Sequence, residues 1–193
     1  MKKLPLTSSQ TVGPFFSPAL LRKGALCQVL VGADTKGTRI RLEGRVLDGN
    51  HEPVLDAIVE IWQANAAGRY NHPADTGPAA LDPGFTGFGR CGTGEDGRYW
   101  FETVKPGMVR YNGKGLQAPH VCITVFSTGL LNHVTTRIYF EDERGNAEDP
   151  VLRCVPQERR KTLVAARVAT EGAVTYRLDI VLQGADETAF FQL

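Results

Sequence analysis

The stretch "RIRLEGRV", residues 39–46, decides the fold class of this chain. Ile40, Leu42 and Val46 alternate with charged residues, and a period of two puts the apolar side chains on one face of an extended segment. This pattern predicts a β-strand with one face in the core and the other toward solvent.

The segments around this strand show the same signature. The turn residues "DGN" at 48–50 predict a hairpin, in which "DAIVEIWQA", residues 56–64, returns as the partner of the first strand in a two-stranded ribbon. Further strands are predicted after the Asp96-Gly97 turn, in "RYWFETV", and in "HVCITVF", "VTTRIYFED" and "VTYRLDIVLQG".

Two stretches lack strand character. "PQERRKTLVAAR", residues 156–167, indicates a helix that begins near its proline, and residues 65–94 are rich in Gly, Pro and Ala with no period. We expect the latter to form a long ordered loop, where functional residues are often found. The chain is therefore predicted to be mainly β, an antiparallel β-sandwich with long ordered loops and one or two short helices, in a single domain spanning 1–193.

Composition limits the possible functions. The formal net charge is +1, so the chain lacks the basic surface that nucleic-acid binding usually needs, and small molecules or protein partners are expected instead. The cysteines are far apart, which favours free thiols over a zinc site or a disulfide scaffold; they are Cys27, Cys91, Cys122 and Cys154. No signal-peptide core or membrane-spanning run is visible, and we expect a soluble, cytoplasmic protein.

One group of residues could bind a metal. Tyr70 and His72 lie on the long loop, while His120 and Cys122 alternate on a predicted strand and so share a face. Each of these residues taken alone is more often a packing or surface residue, and spacing does not decide between the two interpretations. Cys91 shows no local signature of a nucleophile.

Several phrases in fixed order resemble the intradiol ring-cleavage dioxygenases. They include "SQTVGPFF", "VLDAIVEIWQANAAGRYNH", "DGRYWFETVKPG", "APHVCITVF" and "TRIYFEDE", and they span nearly the whole chain. Within the family they are most similar to the α subunits of the protocatechuate-cleaving enzymes. The resemblance implies a β-sandwich core and an enzyme made of this chain and a β subunit.

The resemblance also implies a ferric site that has lost ligands here. The family's catalytic chains hold non-haem Fe(III) with two tyrosines and two histidines, and these positions fall on Tyr70, Val109, His120 and Cys122. Valine supplies no ligand, and a soft thiolate is a poor substitute for imidazole beside a hard ferric ion. We therefore expect a vestigial site in this chain, no catalytic residue of its own, and Fe(III) bound by the partner β subunit.

In the family's two-chain enzymes, the α subunit forms part of the wall of the substrate pocket at the interface with β. The corresponding segment here is Thr11, Gly13, Pro14 and Phe15, within an N-terminal arm of residues 1–25 that would reach the partner. Thr128 stands where relatives often carry an arginine that suits a substrate carboxylate. The substrate is thus expected to be protocatechuate or another 4-substituted catechol, cleaved with O₂.

Two other functions remain open from the sequence. The chain could be an autonomous iron dioxygenase that combines Tyr70 and His120 with unorthodox ligands drawn from Tyr111, His72 or Cys122. It could also be a non-catalytic binding protein of the β-sandwich class. Among the basic residues near Thr128, Arg137 is expected on the surface or at an interface, because it lies in an alternating strand.

Overall fold

In the part of the chain that the structure describes, the fold is built from eleven β-strands and a few short helices. The computed structural model describes residues 11–13, 16–111, 115–168, 172 and 174–192. The strands are β1 Arg39–Leu47, β2 Ile58–Gln63, β3 Phe88–Gly92, β4 Arg98–Val104, β5 Val109–Arg110, β6 Leu116–Gln117, β7 His120–Phe126, β8 Val134–Phe140, β9 Val164–Val168, β10 Val174–Arg177 and β11 Ile180–Val181. Helix α1 is Phe16–Leu20, and 3₁₀ helices cover Arg144–Glu148, Leu152–Cys154 and Gln157–Leu163. None of the helices in these described ranges is long and apolar enough to cross a membrane.

The strands form two layers that are joined at one edge. One layer contains β4, β1 and β10 with β11 beside the end of β1, and the other has the order β3-β2-β7-β8. Strand β9 joins them, because Val164 and Ala165 pair with β8 while the residues that follow pair with β10. Most pairs are antiparallel, whereas β1–β10, β1–β11 and β8–β9 are parallel, so the sheet is mixed and nearly closed.

The larger of two apolar clusters in the described residues fills the space between the layers. Leu42 and Phe101 contribute from one layer, Ile61 and Ile123 from the other, and each is at most 1% exposed. Burial of side chains of this size is worth about 2 kcal/mol each before conformational entropy is counted. The alternation of β1 directs its apolar side chains into this core. The predicted mainly β class with long ordered loops and short helices is confirmed.

Three details of the sequence prediction are wrong. The ribbon of β1 and β2 does not form: Asp48 closes a small turn by accepting from the amides of Asn50 and Glu52, and the chain then crosses to the other layer. The loop predicted to reach Gly94 ends at β3, which pairs with β2. The predicted helix 156–167 is a 3₁₀ helix only to Leu163, and the remainder is strand β9.

The last predicted strand is interrupted at Leu178 and Asp179. The Leu178 carbonyl oxygen turns toward β1 and accepts a hydrogen bond from the Tyr99 hydroxyl at 2.7 Å. This approach requires glycine at position 44, since a Cβ there would lie 1.7 Å from that oxygen. Asp179 then accepts from the Arg45 amide at 2.8 Å, which fixes the break between β10 and β11.

Candidate functional site

A cavity of about 600 Å³ lies where the long loop meets strands β5, β7 and β8. Tyr70 and His72 line it from the loop, His120 and Arg137 from the sheet, and Val109 from β5. The structure thus brings together most of the residues that the sequence singled out for metal chemistry. A cavity of this size falls within the range of small-molecule sites.

Hydrogen bonds to polar side chains hold the Tyr70 loop in place. The buried Asn65 accepts from the amides of Ala67 and Arg69 at 2.9 and 3.0 Å. Asp75 accepts from the Tyr70 amide at 2.8 Å and from the Gly77 amide at 2.9 Å. Because these contacts satisfy backbone donors within the loop, it is ordered without secondary structure, as predicted for this part of residues 65–94.

Gly68 sets the approach of this loop to the strand side of the cavity. Its φ is +81°, and a Cβ at this position would lie 2.0 Å from the carbonyl oxygen of Met108, the residue before β5. Only glycine permits both the left-handed conformation and this close contact. The glycine therefore brings Val109 and the Tyr70 loop to the same cavity.

Tyr70 and His120 contact each other directly. The His120 Nδ1 lies 2.8 Å from the carbonyl oxygen of Ala118, which can only accept, so Nδ1 carries the proton and Nε2 is the acceptor. The Tyr70 hydroxyl lies 3.3 Å from Nε2 and donates to it. Burial and then the nearby Arg137 lower the pKa of His120 to about 4, while burial raises the pKa of Tyr70, so both side chains are neutral at pH 7.

Arg137 is the functional candidate that the sequence prediction misplaced. It does not point to the surface: it is half-buried, lines the cavity, donates to Gln117 Oε1 at 2.7 Å and contacts the Cys122 thiol. Arg137 pairs with Cys122 across β7 and β8, and paired residues of antiparallel strands share a face. The position of Arg137 at the cavity could therefore be recognised only once the strand register was known.

The donor set does not fit a ferric ion. Val109 lies at the cavity and offers no ligand atom, as expected, and Tyr111 lines a neighbouring cavity, so it does not replace the missing phenolate. Cys122 stands at the fourth position, and a soft thiol is a poor substitute for imidazole beside a hard ferric ion. The Arg137 guanidinium beside it would also repel a cation.

The cysteines are free thiols, as expected, and none is set up as a nucleophile in the described residues. Cys91 is 1% exposed and belongs to the core, and burial raises its pKa to about 12. Cys154 is exposed and its thiol donates to the Pro150 carbonyl.

Asp149 supports the cavity from behind. Its fully buried carboxylate accepts from the amides of Ala118, Val151 and Leu152 at 2.7 to 2.9 Å and from the Tyr139 hydroxyl at 3.0 Å. Tyr139 is in turn in contact with Arg137. This carboxylate thus fixes the backbone that carries the acceptor of His120 and the tyrosine beside Arg137, a role that spacing in the sequence did not reveal.

The other predicted site residues lie at the opposite end of β7. The Thr11 hydroxyl donates to the Leu130 carbonyl at 2.9 Å, and the Phe16 amide donates to the Gly13 carbonyl at 3.1 Å. Thr128 is exposed on the same loop as Leu130. Pro14 and Phe15 lie outside the described residues. The N-terminal segment and the Thr128 loop therefore form one edge, about 20 Å from His120 along the strand at the usual rise per residue.

A sequence profile described as "Dioxygenase" matches residues 12–184, which is most of the chain. The chain belongs to this dioxygenase family. It is 44% identical to the protocatechuate 3,4-dioxygenase alpha chain of Burkholderia cepacia, with 100% of both chains covered. It is 40% identical to the alpha chain of Pseudomonas putida, with 97% of this chain and 96% of the relative covered. The beta chain of Burkholderia cepacia is 40% identical over 79% of this chain and 67% of its own.

Solved structures of dioxygenases share the fold. The dioxygenase domain of a carbohydrate-binding fusion protein from Streptomyces sp. SirexAA-E has a TM-score of 0.63 and 25% identity, with 93% of this chain and 99% of that chain covered. An intradiol ring-cleavage dioxygenase from Tetranychus urticae has a TM-score of 0.65 at 20% identity, with 95% and 98% covered. The predicted resemblance to intradiol dioxygenases is confirmed.

Proposed function

We propose that this chain is the non-iron, α-type subunit of a hetero-oligomeric intradiol dioxygenase. Its partner is an iron-bearing β subunit that cleaves protocatechuate, or another 4-substituted catechol, with O₂. The chain itself supplies no catalytic residue and no ligand to Fe(III). Its role is to line the substrate pocket of the partner and to support the assembly.

The main support for this proposal is the composition of the cavity, in a chain whose sequence is similar to α chains along its whole length. Of the four positions implied to bind iron, Tyr70 and His120 keep a side chain that can ligate it, while the other two are a valine and a soft thiol. The Arg137 guanidinium lies among them. Two of four ligands, with a soft thiol in place of imidazole, do not suit a hard ferric ion.

The same observation disfavours the autonomous-enzyme alternative. Of its extra ligands, Tyr111 lines another cavity, and His72 is exposed with its Nδ1 already accepting from the Ala74 amide at 3.1 Å. The full-length match to α chains favours the subunit function over a binding protein without a dioxygenase partner.

The wall of the substrate pocket is assigned to Thr11, Gly13, Pro14, Phe15 and Thr128. The hydrogen bond between Thr11 and Leu130 supports this assignment, because it joins the N-terminal segment to the Thr128 loop at one exposed edge. A neutral threonine at 128 leaves the charge that faces a 4-substituent to be supplied by the β subunit. The substrate then depends on the β subunit as much as on this chain.

The subunit acts as one domain of residues 1–193, in which residues 1–25 form an arm that reaches the partner at the interface. The assembled enzyme is cytoplasmic, as the sequence led us to expect.

Co-expression tests the proposal. The full chain is produced alone and with a β-type chain of the same family, and O₂ uptake is measured with protocatechuate and with catechol. We expect activity only from the complex. Activity of the lone chain, or failure of the two chains to co-purify, would overturn the proposal.

Substitution at the pocket wall tests the assigned edge. Thr128→Arg in the complex adds a guanidinium that can grip a carboxylate, so we expect KM for protocatechuate to fall about tenfold while KM for catechol stays the same. Thr38→Arg, at another exposed threonine, is the matched control. Equal KM values for wild type and Thr128→Arg would remove Thr128 from the pocket wall.

A further inference from the structure

The 600 Å³ cavity has a charge that the iron chemistry of the family does not explain. Three guanidinium groups line it, those of Arg69, Arg110 and Arg137, against one carboxylate, that of Asp75. Among the residues that the structure describes, no salt bridge within 4 Å involves these arginines, although Arg69 helps to lower the pKa of Asp75, whose oxygens accept from two backbone amides. The cavity is therefore cationic.

Arg137 is the arginine best placed to hold an anion. Its contacts are all with neutral groups: the Gln117 amide oxygen at 2.7 Å, the Tyr139 hydroxyl and the Cys122 thiol. The nearby carboxylate of Asp149 is bound to Tyr139 and to three amides instead. A half-buried guanidinium without a counter-ion is costly, and a ligand carboxylate would satisfy it through paired hydrogen bonds.

The walls of the cavity are suited to a flat ring. Trp62 and Tyr70 stack with ring centroids 5.7 Å apart and an interplanar angle of 18°, and both line the cavity. Met108 and Val109 add apolar surface on the β5 side. Aromatic and aliphatic walls beside a guanidinium suit the ring and the carboxylate of a small aromatic acid.

We propose that this cavity binds a small aromatic carboxylate, with its carboxylate on the Arg137 guanidinium and its ring against the wall formed by Trp62, Tyr70 and Met108. No metal takes part in this binding. The neutral His120 and Tyr70 are engaged with each other and line the site without competing for the anion. The inference stands on the cavity alone and does not depend on the proposed partner.

Titration of the full chain tests this site. Benzoate is the probe, because it has a ring and a carboxylate but no hydroxyl groups that could chelate a metal. Binding is followed by calorimetry and by the fluorescence of Trp62, with Trp62→Phe identifying its signal against that of Trp100. We expect one benzoate to bind per chain. Catechol, which lacks the carboxylate, and sulfate, which lacks the ring, should each bind at least about tenfold more weakly than benzoate.

Variants of the arginines locate the site. Arg137→Gln should weaken benzoate binding about tenfold to a hundredfold, the usual effect of losing a hydrogen-bonded charge. Arg137→Lys keeps the charge but loses the planar fork, so we expect an intermediate loss. Arg167→Gln, at an exposed arginine of β9, is the matched control and should bind as the wild type does.

Two further measurements keep the test decisive. If Arg137→Gln fails to fold by circular dichroism, the exposed cavity residue Arg110→Gln should still weaken binding about threefold, since it removes one of the three positive charges. In a complex with the β subunit, Arg137→Gln should remove one benzoate site per pair and leave any response of the iron absorption band unchanged. Wild-type affinity in both arginine variants, or equal affinity for benzoate and sulfate, would overturn the proposal.

Discussion

The two ends of strand β7 are built differently. At the His120 end, side chains are buried and joined into a network that runs from Asp149 through Tyr139, Arg137 and Cys122 to Tyr70. At the Phe126 end, Thr128 and Leu131 are exposed, and a hydrogen bond from Thr11 joins the N-terminal segment to their loop.

This difference indicates separate roles for the two ends. The His120 end is held by buried hydrogen bonds among its own residues, so these residues are expected to affect stability first. The Phe126 end continues into an exposed loop and is expected to matter when another chain covers it.

The largest effect is expected at Asp149. Replacement by alanine leaves three amides and the Tyr139 hydroxyl without their acceptor in a fully buried position. We expect Asp149→Ala to lower the free energy of unfolding by about 4 kcal/mol in urea denaturation. Asp96→Ala, at an exposed turn with one ion pair, should cost less than about 1 kcal/mol. Similar costs for the two variants would contradict a buried network.

The stability of the chain should depend on pH through His120. Its pKa is about 4 in the folded chain, below the ordinary value of 6.5, because burial disfavours the charged imidazole. The unfolded chain therefore binds the proton more readily, so stability is complete above pH 6.5 and is lost as pH falls toward 4. The loss amounts to about 3 kcal/mol.

Urea denaturation between pH 7 and pH 4 measures this loss. We expect His120→Gln to remove most of the pH dependence in this window, and His133→Gln, at an exposed histidine, to leave it unchanged. A pH profile that is the same in His120→Gln and in wild type would show that His120 is not the group that titrates.

A pair of glycine substitutions tests how closely the long loop approaches β5. In Gly68→Ala the added Cβ would clash with the Met108 carbonyl oxygen, and the φ of +81° adds backbone strain. Gly129 has a similar φ of +88°, but no atom lies within 4 Å of its Cβ position. We expect a loss of about 2 kcal/mol for Gly68→Ala and about 1 kcal/mol for Gly129→Ala, where only backbone strain acts. Equal losses would mean that the loop moves away at no cost.

The smallest effect on stability is expected at the other end of β7. Thr11→Val removes one exposed hydrogen bond, so the free energy of unfolding should change by less than about 0.5 kcal/mol. In the complex with the β subunit, KM for protocatechuate should rise a few-fold, because the Thr128 loop loses its link to the N-terminal segment. An unchanged KM would separate Thr11 from the substrate pocket.

The sequence predicted the parts of the fold that depend on local patterns. Alternation in residues 39–46 identified β1, and the Asp96-Gly97 turn located the start of β4. Strand pairing was not accessible in the same way, because the turn after β1 looks like a hairpin although the chain crosses to the other layer. The break at Leu178 depends on a contact with Tyr99 that is distant in the sequence.

The candidate site was predicted only in part, because contacts between segments that are distant in the sequence complete it. Tyr70 and His120 were found from residue type and strand alternation, Val109 was found from the family resemblance, and the three meet at one cavity. Arg137 was missed because its face depends on the register of β8 against β7. Asp149 was missed because its importance comes from four donors in three separate segments, which no spacing rule describes.

Iron content, read together with the visible absorption spectrum, tests the central claim most directly. The full chain is purified alone and after co-expression with a β-type partner, and iron is measured per chain. We expect a colourless, iron-free lone chain and about one iron per pair in the complex. Stoichiometric iron in the lone chain, with the red colour of tyrosinate-to-ferric charge transfer, would contradict the central claim.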